Sequence, residues 1–421
     1  MLNRSMGLVR TTAMVVGIIV GASIFVQPSE VSRHVSTIPA MFAAWTAAGL
    51  LSIAGALVCA ALSRKFPQTG GVYVYLRHTV SPSAGFLWGW AMFWSAQSGI
   101  IAAIAVVLAR YLAVLFPMGD QGMRAAAVGS IALLSGVNYF GVRAGSTVQT
   151  VFTIAKIAAI AGILIAVAML APPVAHTDPP LAAAGGIGQL LLAISAGLFA
   201  YGGWHQATYS AGETIAPEKT IPRALIAGML IVTACYLALN AAYLRVLPLQ
   251  TVLNSQHIAA DAAQVLIGPR AAATVAILVI VSAFGGLSGV VLQGPRVYYA
   301  MAEDGLAPRG MGVAHQKFHT PHLAILAQAV WACALVLTGT YRTLFTRVVY
   351  TEFLFFGLLA LGLMRFERRI RLAPLLLIAG SAVVVVNQFA ADWKESAIGL
   401  LLVAAGLPVF FWITSKKHAH H

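Results

Sequence analysis

Twelve apolar stretches, each long enough to cross the roughly 30 Å hydrocarbon layer of a bilayer, constrain this chain more than anything else in it. They lie near residues 11–37, 39–62, 84–115, 123–141, 147–171, 187–211, 222–246, 269–300, 321–340, 343–364, 372–389 and 396–414. Lipid offers a backbone no hydrogen-bond partners, so such stretches must satisfy their own N–H and C=O groups as helices. The expected fold is an all-α polytopic membrane protein with 12 transmembrane helices. Composition agrees, since 60% of the 421 residues are hydrophobic and 9% are charged, where a soluble chain carries about 25%. So little charge cannot cover an aqueous surface, and one continuous membrane domain over residues 1–421 is expected.

The net charge of +14 would suit a nucleic-acid binder, but the position of the charges decides otherwise. With the N-terminus on the inner side, the inner connections carry seventeen Lys and Arg residues, among them Arg64, Lys65, Arg77, Arg365 and Arg371, and the outer ones carry eight, among them Arg33, Arg270 and Lys394. That bias puts both termini in the cytoplasm, with anionic lipid headgroups as natural partners. The first stretch follows Arg4 and Arg10 as a signal peptide would, but it lacks a small-x-small cleavage site and is read as the first helix. Cys59, Cys235 and Cys333 fall within apolar stretches, where cysteine acts as a small hydrophobe. No metal-ligand spacing occurs, so neither a metal nor a cofactor is expected. His418-Ala419-His420-His421 is read as a tail. A membrane-embedded enzyme would need paired carboxylates or a histidine cluster, and a channel a repeated filter string; neither pattern is present.

Two stretches are poor helices at their centres. The first contains Gly17-Ile18-Ile19-Val20-Gly21-Ala22-Ser23-Ile24-Phe25 and then Gln27-Pro28, and the sixth contains Gly197-Leu198-Phe199-Ala200-Tyr201-Gly202-Gly203-Trp204-His205 and then polar Gln206, Thr208 and Tyr209. Close packing through small residues such as Gly17 and Gly21 is the plain explanation. The pairing argues for more, because breaks near Ala22 and Gly202 lie about 180 residues apart, where an inverted five-plus-five repeat puts a transporter's site. A broken helix exposes carbonyls at the end of its first half and N–H groups at the start of its second. Together these ends match the ammonium and carboxylate of a zwitterionic α-amino acid.

Two ionisable residues stand inside apolar stretches. Lys156, about nine residues into the fifth, either snorkels to the inner interface or is functional. An ammonium at that depth would seek the free carbonyls of the first break, and it is also a candidate proton site. Glu352, a carboxylate deep inside a stretch, holds the corresponding place in the tenth. It is a candidate proton site or gate residue, or else it faces a watery outer vestibule. Gln97, Ser98, Ser282 and Ser288 are read first as packing polar groups. Trp88, Trp90 and Trp94 are read as interface or packing residues.

The strings Gly21-Ala22-Ser23-Ile24-Phe25-Val26-Gln27-Pro28 and Gly197-Leu198-Phe199-Ala200-Tyr201-Gly202-Gly203-Trp204 resemble the amino acid–polyamine–organocation superfamily, and within it the bacterial L-type amino acid transporters. Further matches are Glu213 through Pro217-Glu218-Lys219 to Ile221-Pro222-Arg223, and the run from Arg296-Val297-Tyr298-Tyr299 to Leu306-Ala307-Pro308. The resemblance implies a LeuT-type fold, with repeats over 11–171 and 187–365 and two added helices over 372–414. It implies that amides of Ala22 and Ser23 hold the substrate carboxylate, that carbonyls of Ile19, Phe199 and Gly202 hold its ammonium, that Gly21 and His205 also belong to the substrate site, and that Phe199 gates it. His205 stands where relatives often carry Asn, and Gly21-Ala22-Ser23 where they usually carry Gly-Ser-Gly. It further implies that Lys156 takes the place of a sodium ion, aided by Ser282 and Ser288. The expected function is sodium-independent transport of neutral L-amino acids by alternating access in a bacterial inner membrane, with no obligatory protein partner. Proton-coupled symport, or carriage of polyamines or other organic cations, is the alternative.

Overall fold

The structure, a computed structural model, describes residues 6–418 apart from 22, 36, 141–144, 172–185, 314, 317, 319 and 369. The chain starts with α1 (Leu8–Ile19), a 3-10 turn (Ser23–Phe25) and α2 (Gln27–Ser32), then α3 (Ile38–Lys65) and α4 (Val72–Thr79). A π turn (Met92–Ala96) joins α5 (Pro82–Ala91) to α6 (Gln97–Leu115), and α7 (Asp120–Phe140) and α8 (Gly145–Leu170) follow. Next come α9 (Ile187–Tyr201), a 3-10 segment (Trp204–Glu213), α10 (Pro217–Val246), α11 (Leu249–Asn254), α12 (Ile258–Leu266) and α13 (Pro269–Glu303). The last are α14 (His322–Thr338), α15 (Tyr341–Glu367), α16 (Leu372–Ala391), α17 (Trp393–Ala404) and α18 (Gly406–His418). Among the described residues the only extended pairing is a single bridge between Met6 and Thr214.

Local chemistry sets many of the helix starts. Pro39, Pro82, Pro217 and Pro269 stand in first turns, where a missing N–H costs nothing. The hydroxyls of Thr37 and Ser81 accept the N–H groups of Ala40 and Ala84, and Thr340 and Thr343 cap each other reciprocally at the start of α15.

Ten runs of described helix are long and apolar enough to cross a membrane, with α5 and α6, and α17 and α18, each forming one run. The two remaining long helices fall short: α7 is diluted by Arg124, Ser130, Ser135 and Asn138, and α14 has only 17 residues. The outward faces are apolar, with Leu50, Ile154, Met169, Leu230, Val330 and Phe411 exposed, as a lipid-facing surface requires.

Inside the bundle α10 packs on α3 and α1, and α13 packs on α6. The two interrupted runs lie side by side. α1 touches the 3-10 segment that follows α9, while α2 touches α9 itself, so each half-helix meets the opposite half of the other run. This arrangement brings the two interruptions together.

Candidate functional site

α1 ends where Val20 (φ −73°, ψ 69°) leaves helical space, and the Gly21 N–H turns back onto the Ile19 carbonyl at 2.7 Å. Unwinding strands carbonyls that an unbroken helix would use, and four neighbouring helices supply donors. Lys156 Nζ on α8 donates to Gly17 O at 3.1 Å, and the Tyr236 hydroxyl on α10 to Ile19 O at 2.9 Å. The Tyr111 hydroxyl on α6 donates to Phe25 O at 2.8 Å, and Ser282 Oγ on α13 reaches Gly21 O at 3.4 Å. Ser23 is buried in the 3-10 turn; Ala22 lies outside the described residues.

Lys156 does not snorkel. It is 4% exposed while its neighbour Ile154 is 62% exposed, so the helix turns its charge inward and its apolar face out. Gly286 makes room for it: a Cβ there would stand 3.3 Å from Gly21 Cα and 3.6 Å from Lys156 Nζ. The expected serine partners are not its partners. Lys156 meets the break at Gly17, whereas Ser282 faces Gly21 further along the chain, and Ser288 is only half-buried on α13.

α9 ends at Tyr201, Gly202 N–H donates to Phe199 O at 3.1 Å, and Gly203 takes φ +96°, a left-handed conformation that favours glycine. The Tyr236 hydroxyl also lies 3.0 Å from Ala200 O, so one phenol bridges both breaks. The Phe199 ring packs against Tyr341 and Phe345, with centroids 6.2 and 5.6 Å apart. His205 is fully buried in an aromatic box of Trp88, Trp204, Tyr209 and Phe356, which makes Trp88 a packing residue rather than an interface one.

Between the breaks lies a cavity of about 30 Å³. Ile19, Gly21, Ser23, Phe199 and Gly202 line it from the interrupted runs, and Ile100, Ile104, Val290 and Val348 form apolar walls. Glu352 and Gln206 also line it. Glu352 is 3% exposed, so in this closed structure it does not face a watery vestibule, and its Oε1 lies 3.6 Å from His205 Nε2. Lys156, Ser282, Ser288 and His205 stand outside this lining, the last of them directly behind Glu352.

Polar latches close both ends of the bundle. Beyond α2, Gln27 donates to Ala196 O at 2.6 Å and accepts from the Tyr341 hydroxyl at 2.8 Å, while Arg342 pairs with Glu30 at 2.8 Å. At the other end Arg296 pairs with Glu213 at 2.8 Å, Arg77 pairs with Asp304, and Met6 exchanges backbone hydrogen bonds with Glu213 and Ile215. Sequence reasoning gave no role to Tyr236, Tyr111 or Gln206. A tyrosine or glutamine inside an apolar stretch was their only signal.

Residues 6–420 match the amino acid permease family. The chain belongs to that family. The permease is similar to the serine/threonine exchanger SteT of Bacillus subtilis (strain 168), at 30% identity over 99% of the permease and 98% of the exchanger. It is similar to the large neutral amino acids transporter small subunit 2 of Homo sapiens, at 30% identity over 97% and 80% of the two chains. The Asc-type amino acid transporter 1 of Mus musculus is 28% identical over 100% of the permease and 83% of that relative. These matches place the permease in the amino acid–polyamine–organocation superfamily beside the L-type transporters. It is a multi-pass membrane protein of amino acid transport and not an enzyme.

Proposed function

We propose that the permease is a sodium-independent carrier or exchanger of neutral L-amino acids that works by alternating access. The observation that carries this is the meeting of two interrupted helical runs at one cavity, with the Lys156 ammonium bonded to the first break. The N–H groups of Ala22 and Ser23 would hold the substrate carboxylate, and carbonyls of Phe199 and Gly202 its ammonium. Ile19 O already accepts two donors, so it contributes least. Lys156 would stand where a sodium ion could otherwise bind, which removes the need for sodium. A cavity of about 30 Å³ is too small for an amino acid, so binding requires the walls to part. Opening one latch at a time would expose the site to one side and then the other.

In this reading α7 and α14 join the ten apolar runs to make twelve crossings. Residues 11–171 and 187–365 form the inverted repeats, 372–414 lie outside them, and both termini face the cytoplasm of an inner membrane. The human relative is named as a small subunit and the Bacillus exchanger is not; we take the permease to work without an obligatory partner. Counterflow of radiolabelled serine, alanine and leucine into proteoliposomes tests the proposal. Saturable uptake, equal in sodium and choline buffers, is expected; sodium-dependent uptake, or flux without saturation, would overturn it.

A second reading, proton-coupled symport, is favoured by the buried pair His205 and Glu352. The titratable groups facing Glu352 are His205 and, behind it, Tyr209, whose ring is 5.7 Å from the imidazole. A Glu352→Gln variant whose uptake between about pH 5 and 8 follows the parent's profile removes that role.

A further inference from the structure

The cavity has a polar side that does not serve the backbone. Three buried polar atoms belong to its lining residues, Glu352 Oε1 and both amide atoms of Gln206, and both ring nitrogens of His205 lie behind Glu352; none of the five has a hydrogen-bond partner among the described residues. The 3.6 Å between His205 and Glu352 is too long for a hydrogen bond. Buried polar groups left in this condition are uncommon and call for an explanation. They differ from the side chains that hold the bundle together. Gln27 uses both ends of its amide, on Ala196 O and the Tyr341 hydroxyl, and Lys156 is bonded to Gly17 O. Gln206 uses neither end, although it too is fully buried.

We infer that the permease reads its substrate's side chain through Glu352 and Gln206, and that the amino acid it takes carries an N–H or O–H donor on that side chain. The inference rests on the cavity being the substrate site. An ionised carboxylate only accepts hydrogen bonds, and a protonated one still keeps an acceptor oxygen. In either state Glu352 Oε1 gains from a donor and is left unpaired by an alkyl side chain. Gln206 beside it offers both an acceptor and a donor, so hydroxyl, amide and ammonium groups can each be met. A site built around such groups rejects an alkyl isostere far more strongly than an apolar pocket rejects a missing methylene.

The test uses purified full-length permease and isosteric pairs of amino acids: serine with 2-aminobutyrate, asparagine with leucine, and ornithine with norleucine. Affinity is read from ligand-dependent shifts in unfolding temperature for the parent, Glu352→Met and Gln206→Met. In the parent, the donor-bearing member of at least one pair should bind about tenfold or more tightly than its isostere, and the pair identifies the donor. In Glu352→Met that ratio should fall towards one while the isostere's affinity changes by less than about threefold. The ligand-free unfolding temperature of Glu352→Met should not fall, since an unpaired polar group is being removed; a purely structural glutamate would give the opposite. Equal binding of both members by the parent, or an unchanged ratio in Glu352→Met, overturns the inference and leaves the proposed site standing. Failure of every amino acid to bind overturns both.

Discussion

Lys156 and Glu352 are the two ionisable side chains placed deep within apolar helices, and they have been put to opposite uses. The lysine is bonded to the carbonyl of Gly17 and completes a backbone that the α1 break left short of donors. The glutamate lines the cavity with an oxygen that no described group satisfies. Both are ionisable groups removed from water, yet only the lysine has its polar atom satisfied within the protein. A buried ionisable group bonded to the backbone maintains a conformation, whereas one whose oxygen has no hydrogen bond is placed for something that arrives later.

The largest effect that would break this contrast is on the lysine. Lys156→Met leaves Gly17 O without its donor and the break without its cation, which costs about 2 kcal/mol, or roughly 30-fold in any step that needs the break intact. Counterflow uptake should fall by at least that much and the unfolding temperature should drop, while Lys156→Arg, which keeps a donor, should lose less. Normal uptake by Lys156→Met would mean that the ammonium is incidental. Glu352→Met provides the counterpart: its unfolding temperature should hold or rise, and its loss should appear in substrate preference. A marked loss of stability in that variant would place both residues in one class.

Much of this contrast could be seen in the sequence, and the reason is instructive. The breaks at Gly21 and Gly202 are local events, driven by small residues whose effect on a helix depends on few neighbours, and α1 and α9 end within two residues of them. Lys156 was conspicuous because charge is so scarce there. What could not be seen depends on how helices are rotated against one another. A tyrosine in an apolar stretch gives no sign that its hydroxyl will span two breaks, as Tyr236 does. The expected bonds from Ser282 and Ser288 to Lys156 failed for the same reason, since sequence distance along α13 does not fix which carbonyl each side chain meets. The π turn at Met92–Ala96 was also invisible, because one extra residue in a turn leaves the apolar pattern nearly unchanged.

Tyr236 sharpens the comparison at the next level down. Tyr236→Phe keeps the ring packed between Trp45 and Tyr201 and removes only the donor shared by Ile19 O and Ala200 O. A neutral hydrogen bond is worth about 1 kcal/mol, so uptake should fall about fivefold, well short of the effect at Lys156. A fall as deep as that of Lys156→Met would show that the bridge between the breaks, rather than the cation, holds the site together.

The smallest effect belongs to a charge pair outside the apolar helices, where solvent competes. His257 Nδ1 lies 2.8 Å from Asp261 Oδ1 at the start of α12, and the imidazole edge meets Tyr111, whose hydroxyl holds Phe25 O. The hydrogen bond to Asp261 raises the His257 pKa above its ordinary value, against the opposing effect of burial. The folded state therefore binds this proton more tightly than the unfolded chain. The resulting stability is complete below about pH 6.5, the unfolded value, and is lost as pH rises through the raised folded value. Because the imidazole is 39% exposed, the gain is heavily screened, and the unfolding temperature should fall by no more than about 2 °C across that interval. Asp261→Asn should abolish this fall. If the variant loses stability with rising pH as the parent does, the pair contributes nothing; if uptake follows the same titration, the contact through Tyr111 carries its state to the α1 break, and a satisfied charge outside the core would then act on transport as Lys156 does within it.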